Sequence, residues 1–127
     1  MSAMAHRLQT EVAGRRDFCC LVTSDAELRR LNRQFRKKDY PTDVLSFPAL
    51  ERNGSLGELA ISFDRAKAQA QEFGHGVQEE IGILMLHGVL HLAGMDHETD
   101  RGEMARAERR WRRRLNLPLG LIERGRV

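Results

Sequence analysis

The segment of residues 78–92 constrains the fold more than any other part of the chain. Its apolar residues fall on nearly every side of a helix: Ile81, Ile83, Leu84, Met85, Leu86, Val89, Leu90 and Leu92. A helix that is apolar all round must be buried in a core. The segment is shorter than the ~18 residues that a membrane span needs, and no other apolar run reaches that length. We therefore predict a globular domain built around this helix, and no membrane partner.

Three short stretches have the length and composition of β-strands. They cover residues 18–22, 44–47 and 59–63, and the polar segment 51–54 predicts a hairpin between the last two. Strands mixed with four to five helices indicate an α/β or α+β fold with a small mixed sheet. Because no linker or repeat divides its 127 residues, the chain is predicted to be one domain, 1–127, with an irregular tail at 118–127.

Local signals place the remaining helices. They are predicted over residues 1–13, from residue 24 to a break at 39–41, over 64–73 and over 100–115. Ser24 and Glu27 form a capping box at the start of the second helix. Asp64 is expected to cap the third, which ends at Gly74.

Cysteine usage and charge indicate the compartment and the class of partner. Cys19 and Cys20 are adjacent, so they neither close a loop nor resemble a zinc pair. We interpret them as small hydrophobic residues of a strand in a reducing, cytoplasmic protein without a secretory signal. The 21 basic and 18 acidic residues give a net charge of +3. That excess is compatible with a nucleic-acid partner without requiring one.

Three of the five histidines fall within eleven residues, in the pattern H-x-x-x-H-x-x-G-x-x-H. His87 and His91 are one helical turn apart and project from one face. Gly94 can adopt a left-handed conformation that ends the helix and returns His97 towards the same point. Three imidazoles that leave a fourth position for water are typical of catalytic zinc sites. Zinc is therefore the expected ion, although nickel or copper would also accept these ligands.

Two other interpretations of these histidines must be weighed. A histidine on a buried helix is usually a hydrogen-bonded core residue, but three at ligand spacing favour a metal site. Metzincin proteases share the spacing and place a glutamate general base after the first histidine, where this chain has Gly88. The sequence therefore argues against peptide hydrolysis. Asp96 and Glu98 flank His97, and Asp96 suits either a hydrogen bond to a ligand imidazole or a turn.

Two long motifs, NRQFRKKDYPTDVLSFP at residues 32–48 and HGVLHLAGMDH at residues 87–97, carry a resemblance to a known family. Over about residues 20–115 the chain resembles the YbeY endoribonucleases, which are bacterial rRNA maturation factors. The resemblance implies an α/β fold that holds a metal ion on the three histidines and hydrolyses single-stranded RNA. It also implies action at the 3′ end of small-subunit rRNA and in ribosome quality control, with ribosome-associated proteins as further partners.

The same resemblance gives Arg36 a catalytic role. Its guanidinium is a planar fork that matches phosphate oxygens, so we expect it to hold the scissile phosphate. The residues alone leave open an ordinary solvated arginine in an Arg-Lys-Lys run. Three neutral ligands leave the metal its full charge, which predicts a metal-bound hydroxide as the nucleophile. The alternative is a ribosome-assembly binding factor with a structural metal and little catalysis.

The chain departs from the family pattern in three places. Glu58 stands where aspartate is usual, and Met95 stands where an aromatic residue is common. The N-terminus is shorter than usual: family members usually begin with an additional strand, which is not found in this sequence. These departures concern the packing and the size of the sheet rather than the histidines.

The last predicted helix is rich in arginine. Residues 101–114 contain seven arginines against two glutamates. Such a face can track an RNA backbone. It can equally be the solvated side of an amphipathic helix whose Met104, Ala107, Trp111 and Leu115 pack inward.

Overall fold

The chain combines helices with three strands in a computed structural model that describes residues 2–14, 16–36, 42–49 and 55–124. The elements are α1 (Ser2–Arg7), a π-helical turn (Leu8–Val12), β1 (Asp17–Thr23), α2 (Asp25–Arg36), β2 (Val44–Pro48), β3 (Ser55–Ser62), α3 (Phe63–Phe73), α4 (Val77–Leu92) and α5 (Glu103–Arg114). The predicted fold class, an α/β or α+β domain with a small mixed sheet and four to five helices, is confirmed: the described residues form a small α+β domain with five α-helices. Within the described residues, no helix is both long and apolar enough to cross a membrane.

The three strands form one mixed sheet in the order β1-β3-β2. β1 pairs with β3 in parallel, and β2 pairs with β3 antiparallel, so that Cys20 and Ser46 both lie opposite Leu59. The predicted pairing of the second and third strands is therefore confirmed, whereas their turn at residues 51–54 and the break at 39–41 lie outside the described residues. Cys19 and Cys20 are free thiols of β1. Burial, with a smaller effect of Cys19, raises the pKa of Cys20 to about 11.

Alternation along β3 divides the core between the two faces of the sheet. Leu59 and Ile61 belong to the large cluster that includes the apolar residues of α4. Ala60, between them, packs with Leu28 of α2 and Leu45 of β2 in a second cluster. Because successive side chains of a strand point to opposite faces, α4 and α2 sandwich the sheet.

Helix α4 is the buried centre that its composition predicts. Every residue from 80 to 90 is buried. The cluster around it includes Leu8 before β1, Met104 of α5 and Leu121 near the end of the chain. Residues 117–124 form no helix or strand, yet Leu121 is fully buried. The C-terminal segment therefore contributes to the core next to α4.

The N-cap of helix α3 lies two residues before Asp64, the residue predicted to cap it. Ser62, still in an extended conformation at the end of β3, is the cap: its Oγ accepts a hydrogen bond from the Arg65 N–H at 3.1 Å. The Asp64 carboxylate instead accepts from the backbone N–H of Asp25 at 2.7 Å, which ties the start of α3 to the start of α2. The expectation for Asp64 is therefore wrong, because Ser62, two residues earlier, already occupies the capping position.

The other predicted caps agree with the structure. Glu27 N–H donates to Ser24 Oγ at 3.1 Å at the start of α2. Gly74, at φ +73°, ends α3 in the left-handed region, as a glycine after a helix commonly does. The charged helix α5 starts at Glu103 rather than at Asp100, whose carboxylate accepts from the N–H groups of Gly102 and Met104.

Candidate metal centre

The C-terminal end of α4 brings the three motif histidines together. His87 and His91 project from the same face, with ring centroids 4.7 Å apart. After the helix ends at Leu92, Gly94 adopts φ +99° and the chain turns back. The ring of His97 then lies 5.8 and 5.9 Å from the other two rings. One ligand nitrogen of each histidine lies within 4.8 Å of the others.

Hydrogen bonds fix the orientation of the two helical imidazoles. His87 Nδ1 donates to a carboxylate oxygen of Glu108 at 2.7 Å. His91 Nδ1 donates to the carbonyl of Met95 at 2.9 Å. Since both partners are acceptors, both Nδ1 atoms carry the proton and both Nε2 atoms keep a lone pair. Metal-binding histidines in proteins are typically held in this way.

The third histidine supplies the observation that tests whether a metal ion fits. Both ring nitrogens of His97 are buried and lack a hydrogen-bond partner among the residues that the structure describes. A buried polar atom without a partner costs about 1–3 kcal/mol, which a metal ion bound to that nitrogen would remove. Burial, followed by the charge of His87, lowers the pKa of His91 and so favours its neutral, ligating form. An all-imidazole set of this kind suits zinc, nickel or copper.

The histidines open into a cleft of about 450 Å³. Its other wall consists of β2 and the two residues before it, and Thr42, Asp43 and Ser46 supply polar side chains there. Ser46 Oγ donates to the backbone carbonyl of Gly88 at 3.3 Å, which ties β2 to α4 next to the histidines. The cleft is therefore bounded by a fixed strand on one side and a buried helix on the other.

Gly88 explains why a metzincin-type base is absent. A Cβ atom at this position would lie 2.6 Å from Leu59 Cδ2, so this side of α4 is in direct contact with β3. A side chain after the first histidine would therefore enter the sheet rather than the cleft. The packing agrees with the sequence argument against peptide hydrolysis.

One polar partner of the site was not predicted from the sequence. Glu108 of α5 is fully buried against His87. The sequence feature that could have identified Glu108 is its position between Met104 and Trp111, where an acidic residue lies on the inward side of an otherwise basic helix. Of the two roles considered for Asp96, the structure shows the turn, because its Oδ1 accepts from the N–H of Glu98 at 3.0 Å.

The predicted catalytic arginine lies at the edge of what the structure describes. Arg36 is the last residue of α2, and its side chain lies outside the described part of the chain. The same helix reaches the cleft one turn earlier through Asn32, which is buried in its wall. The role of Arg36 therefore rests on its motif.

Comparison with known proteins gives a consistent result. The family model described as Endoribonuclease YbeY matches residues 2–116. A protein named Endoribonuclease YbeY from Solibacter usitatus is 67% identical over 120 residues, covering 94% of this chain and 80% of its own length. One of the same name from Koribacter versatilis is 60% identical, covering 82% and 68%. The solution structure of TM1509 from Thermotoga maritima is similar with a TM-score of 0.62 at 31% identity, covering 87% of this chain and 77% of that one.

Proposed function

The chain belongs to the endoribonuclease YbeY family, and on that premise we propose that it cleaves single-stranded RNA with a metal ion held by His87, His91 and His97. The observation that carries the proposal is the convergence of three imidazoles, two of them oriented by acceptors at Nδ1, on one wall of an open cleft. Three protein ligands leave a coordination position for water or substrate, which distinguishes a catalytic site from a structural one.

Phosphodiester hydrolysis requires an activated water, stabilisation of the growing charge and a held substrate. A zinc ion held by the three histidines would act as a Lewis acid and would lower the pKa of water, so that an activated nucleophile is available near neutral pH. Arg36 holds the scissile phosphate through two parallel N–H donors and remains charged throughout. Thr42 and Asp43 lie across the cleft from the histidines and position the RNA strand that is cut.

The form of the cleft favours a single strand. A flexible strand can bend towards the recessed end of α4, whereas a rigid A-form duplex presents its phosphates on a wide cylinder. We expect phosphate contacts from Arg36, Lys37, Lys38 and the exposed arginines of α5 to dominate binding. Affinity should then fall steeply with salt and depend little on sequence.

The biological setting follows from the family rather than from the site. We propose that the chain acts as one domain, 1–127, in the cytoplasm, on the 3′ end of small-subunit rRNA and in ribosome quality control. Its partners would be rRNA, the small ribosomal subunit and ribosome-associated proteins. Zinc is the proposed ion, because it accepts three imidazoles and a water readily.

Cleavage assays with single-site variants test this function. Zinc-loaded protein should cut an RNA strand and spare the same strand annealed to its complement, and His91→Ala should abolish cutting. Arg36→Ala should reduce cutting sharply at unchanged metal content and melting temperature, and Arg36→Lys should restore little, because an ammonium lacks the bidentate fork.

Lys67→Ala, which removes one exposed positive charge from α3, is the control for charge. Equal cutting of single and paired RNA would refute the single-strand proposal, and full activity of Arg36→Ala would refute the role of Arg36. RNA binding without any cutting would favour the assembly factor with a structural metal.

A further inference from the structure

A buried carboxylate of α5 connects the histidine cluster to the C-terminal segment. Glu108 is fully buried, and its Oε2 accepts from His87 Nδ1 at 2.7 Å. Its other oxygen, Oε1, accepts from the backbone N–H of Ile122 at 3.0 Å. Each oxygen therefore faces a donor, and the two donors belong to different parts of the fold.

We propose that Glu108 is a positioning residue for the metal centre. By accepting from Nδ1, it places the ring proton of His87 away from the cluster and leaves Nε2 free to bind an ion. The segment around Ile122 in turn fixes the carboxylate through its second oxygen. The inference rests on the proposed function only in requiring that the cluster binds a metal.

The requirement is for a carboxylate rather than for any polar side chain. His87 Nδ1 and Ile122 N both donate, so both atoms of the group between them must accept. A glutamine at position 108 offers one acceptor and one NH₂ donor. If the NH₂ faces His87, the ring must accept at Nδ1, and its proton then moves to the nitrogen that binds the metal. If it faces Ile122 instead, two donors oppose each other in a buried place.

The backbone at Gly120 packs closely against the carboxylate of Glu108. A Cβ atom at Gly120 would lie 2.2 Å from Glu108 Oε1 and 2.7 Å from its Cδ. The chain therefore passes directly against the carboxylate, at a position that leaves no room for a side chain. Gly120→Ala keeps the chemistry of Glu108 but displaces it, without altering a histidine.

A second buried glutamate provides a matched control. Glu80 is also fully buried, and its Oε1 lies 2.6 Å from a ring nitrogen of His75. That pair is near the start of α4, and His75 does not belong to the histidine cluster. Glu80 Oε2 accepts from Gln69 and Arg124 at 3.1 and 3.2 Å, so Glu80→Gln measures the general consequence of changing a buried, hydrogen-bonded glutamate next to a histidine.

Zinc affinity is the first measurement. Metal-free wild type, Glu108→Gln, Gly120→Ala and Glu80→Gln are titrated with Zn²⁺ against a chromophoric chelator. Loss of the hydrogen bond behind a ligand histidine typically weakens metal binding about 10–100-fold, and we expect Glu108→Gln to fall in that range. Gly120→Ala should shift in the same direction, and Glu80→Gln should bind zinc like wild type. Wild-type affinity in Glu108→Gln would overturn the proposal.

The position of the ring proton is the second measurement. Long-range ¹H–¹⁵N correlation spectra of the metal-free protein, at a pH where the imidazoles are neutral, report which nitrogen is protonated. We expect the proton of His87 on Nδ1 in wild type and a shift towards Nε2 in Glu108→Gln. A proton on Nε2 in wild type would overturn the proposal even if no variant folds.

These outcomes separate the inference from the proposed function. Wild type that binds no zinc would refute the metal centre on which both depend. Zinc binding that Glu108→Gln leaves unchanged would refute the role of Glu108 alone. Wild type that binds zinc and cuts no RNA, with weakened zinc binding in Glu108→Gln, would refute the endoribonuclease and retain the positioning role.

Discussion

Helix α4 carries two of the three clustered histidines and α5 contacts one of them through Glu108, yet the sequences of the two helices follow opposite rules. α4 buries twelve of its sixteen residues, whereas α5 buries three of twelve. α4 can be packed on every side because it has almost no charge after its first turn. α5 is strongly basic, and its buried positions form a narrow inward stripe that includes Glu108.

The contrast shows that the side of a helix determines a residue's role more than the helix to which it belongs. Different sides of α4 face the sheet, α5 and the cleft. Most substitutions in α4 should therefore disturb packing. On α5 the inward residues should behave like those of α4, and the outward arginines should be free to vary without loss of fold. The effects of substitutions on different sides of α4 and α5 test this rule.

The largest effect is expected where α4 faces the cleft. Wild type purified without chelator should carry about one transition-metal ion per chain, as three imidazole ligands imply. The double variant His87→Ala and His91→Ala should carry none and should melt at a lower temperature than metal-loaded wild type, because the ion ties α4 to the following turn. Elemental analysis and thermal melts provide the measurement.

Removal of a histidine outside the cluster is the control for that result. His6→Ala alters an exposed side chain of α1 and should leave the metal content unchanged. Full retention of the ion in the double variant, or its loss in His6→Ala, would contradict the assignment of the cluster.

The next largest effect is expected where α4 faces the sheet. Gly88→Ala places a methyl group 2.6 Å from Leu59 Cδ2, whereas Gly82→Ala meets its nearest atom, Leu117 Cδ2, at 3.2 Å. Both substitutions gain the same helix propensity, so the difference between them isolates the packing. Overpacking typically costs about 1–3 kcal/mol, and Gly88→Ala should be less stable than Gly82→Ala by that amount in urea unfolding. Equal stability would show that the Leu59 side chain can move away from position 88 without cost.

The features of the fold that the sequence predicts correctly are local along the chain. Apolar residues on nearly every side of residues 78–92 predict α4, and two short apolar stretches with a polar segment between them predict the pairing of β2 with β3. The spacing around Gly94 predicted that three histidines converge, because helix geometry and one glycine suffice to bring them together. These features depend on residues that lie in one helix, in one turn or in two strands joined by one short connection.

The features that the sequence does not predict involve partners on different elements that are distant along the chain. Glu108 pairs with His87 across 21 positions, and no periodicity specifies which inward residue of α5 meets which residue of α4. The cap of α3 was misplaced for a related reason, since Asp64 is occupied by the backbone of Asp25, 39 positions away. Capping propensity is judged from neighbouring residues, so it does not reveal a competing partner that is distant along the chain.

A smaller effect is expected at the flank of α5. Glu123 accepts two hydrogen bonds from the guanidinium of Arg112, at 2.6 and 3.0 Å, and this interaction lowers the pKa of the Glu123 carboxyl. A lowered folded-state pKa gives stability that is present above the unfolded pKa and is lost as the pH falls through the folded value. Glu123→Gln should therefore cost about 1 kcal/mol at pH 7 and less as the medium is acidified. Urea unfolding at several pH values checks this, and a constant difference would contradict it.

The smallest effect on the fold is expected at the outward face of α5. Arg113 is exposed, and Arg113→Ala should change the free energy of unfolding by less than about 0.5 kcal/mol. Its effect on RNA should still be measurable if this face tracks the phosphate backbone. Loss of one phosphate contact makes the slope of log affinity against log salt shallower by about 0.7 for a single strand. Fluorescence anisotropy with a labelled RNA strand over a salt series measures that slope.

Lys67→Ala, which removes the same charge from an exposed position of α3, separates contact from net charge. A general decrease in positive charge should weaken binding equally in both variants, because long-range attraction depends little on which residue carries the charge. A specific contact should make the slope shallower in Arg113→Ala alone. If neither variant changes the slope, the outward arginines of α5 are the solvated side of an amphipathic helix, and the RNA path must follow the cleft and the Arg36 motif instead.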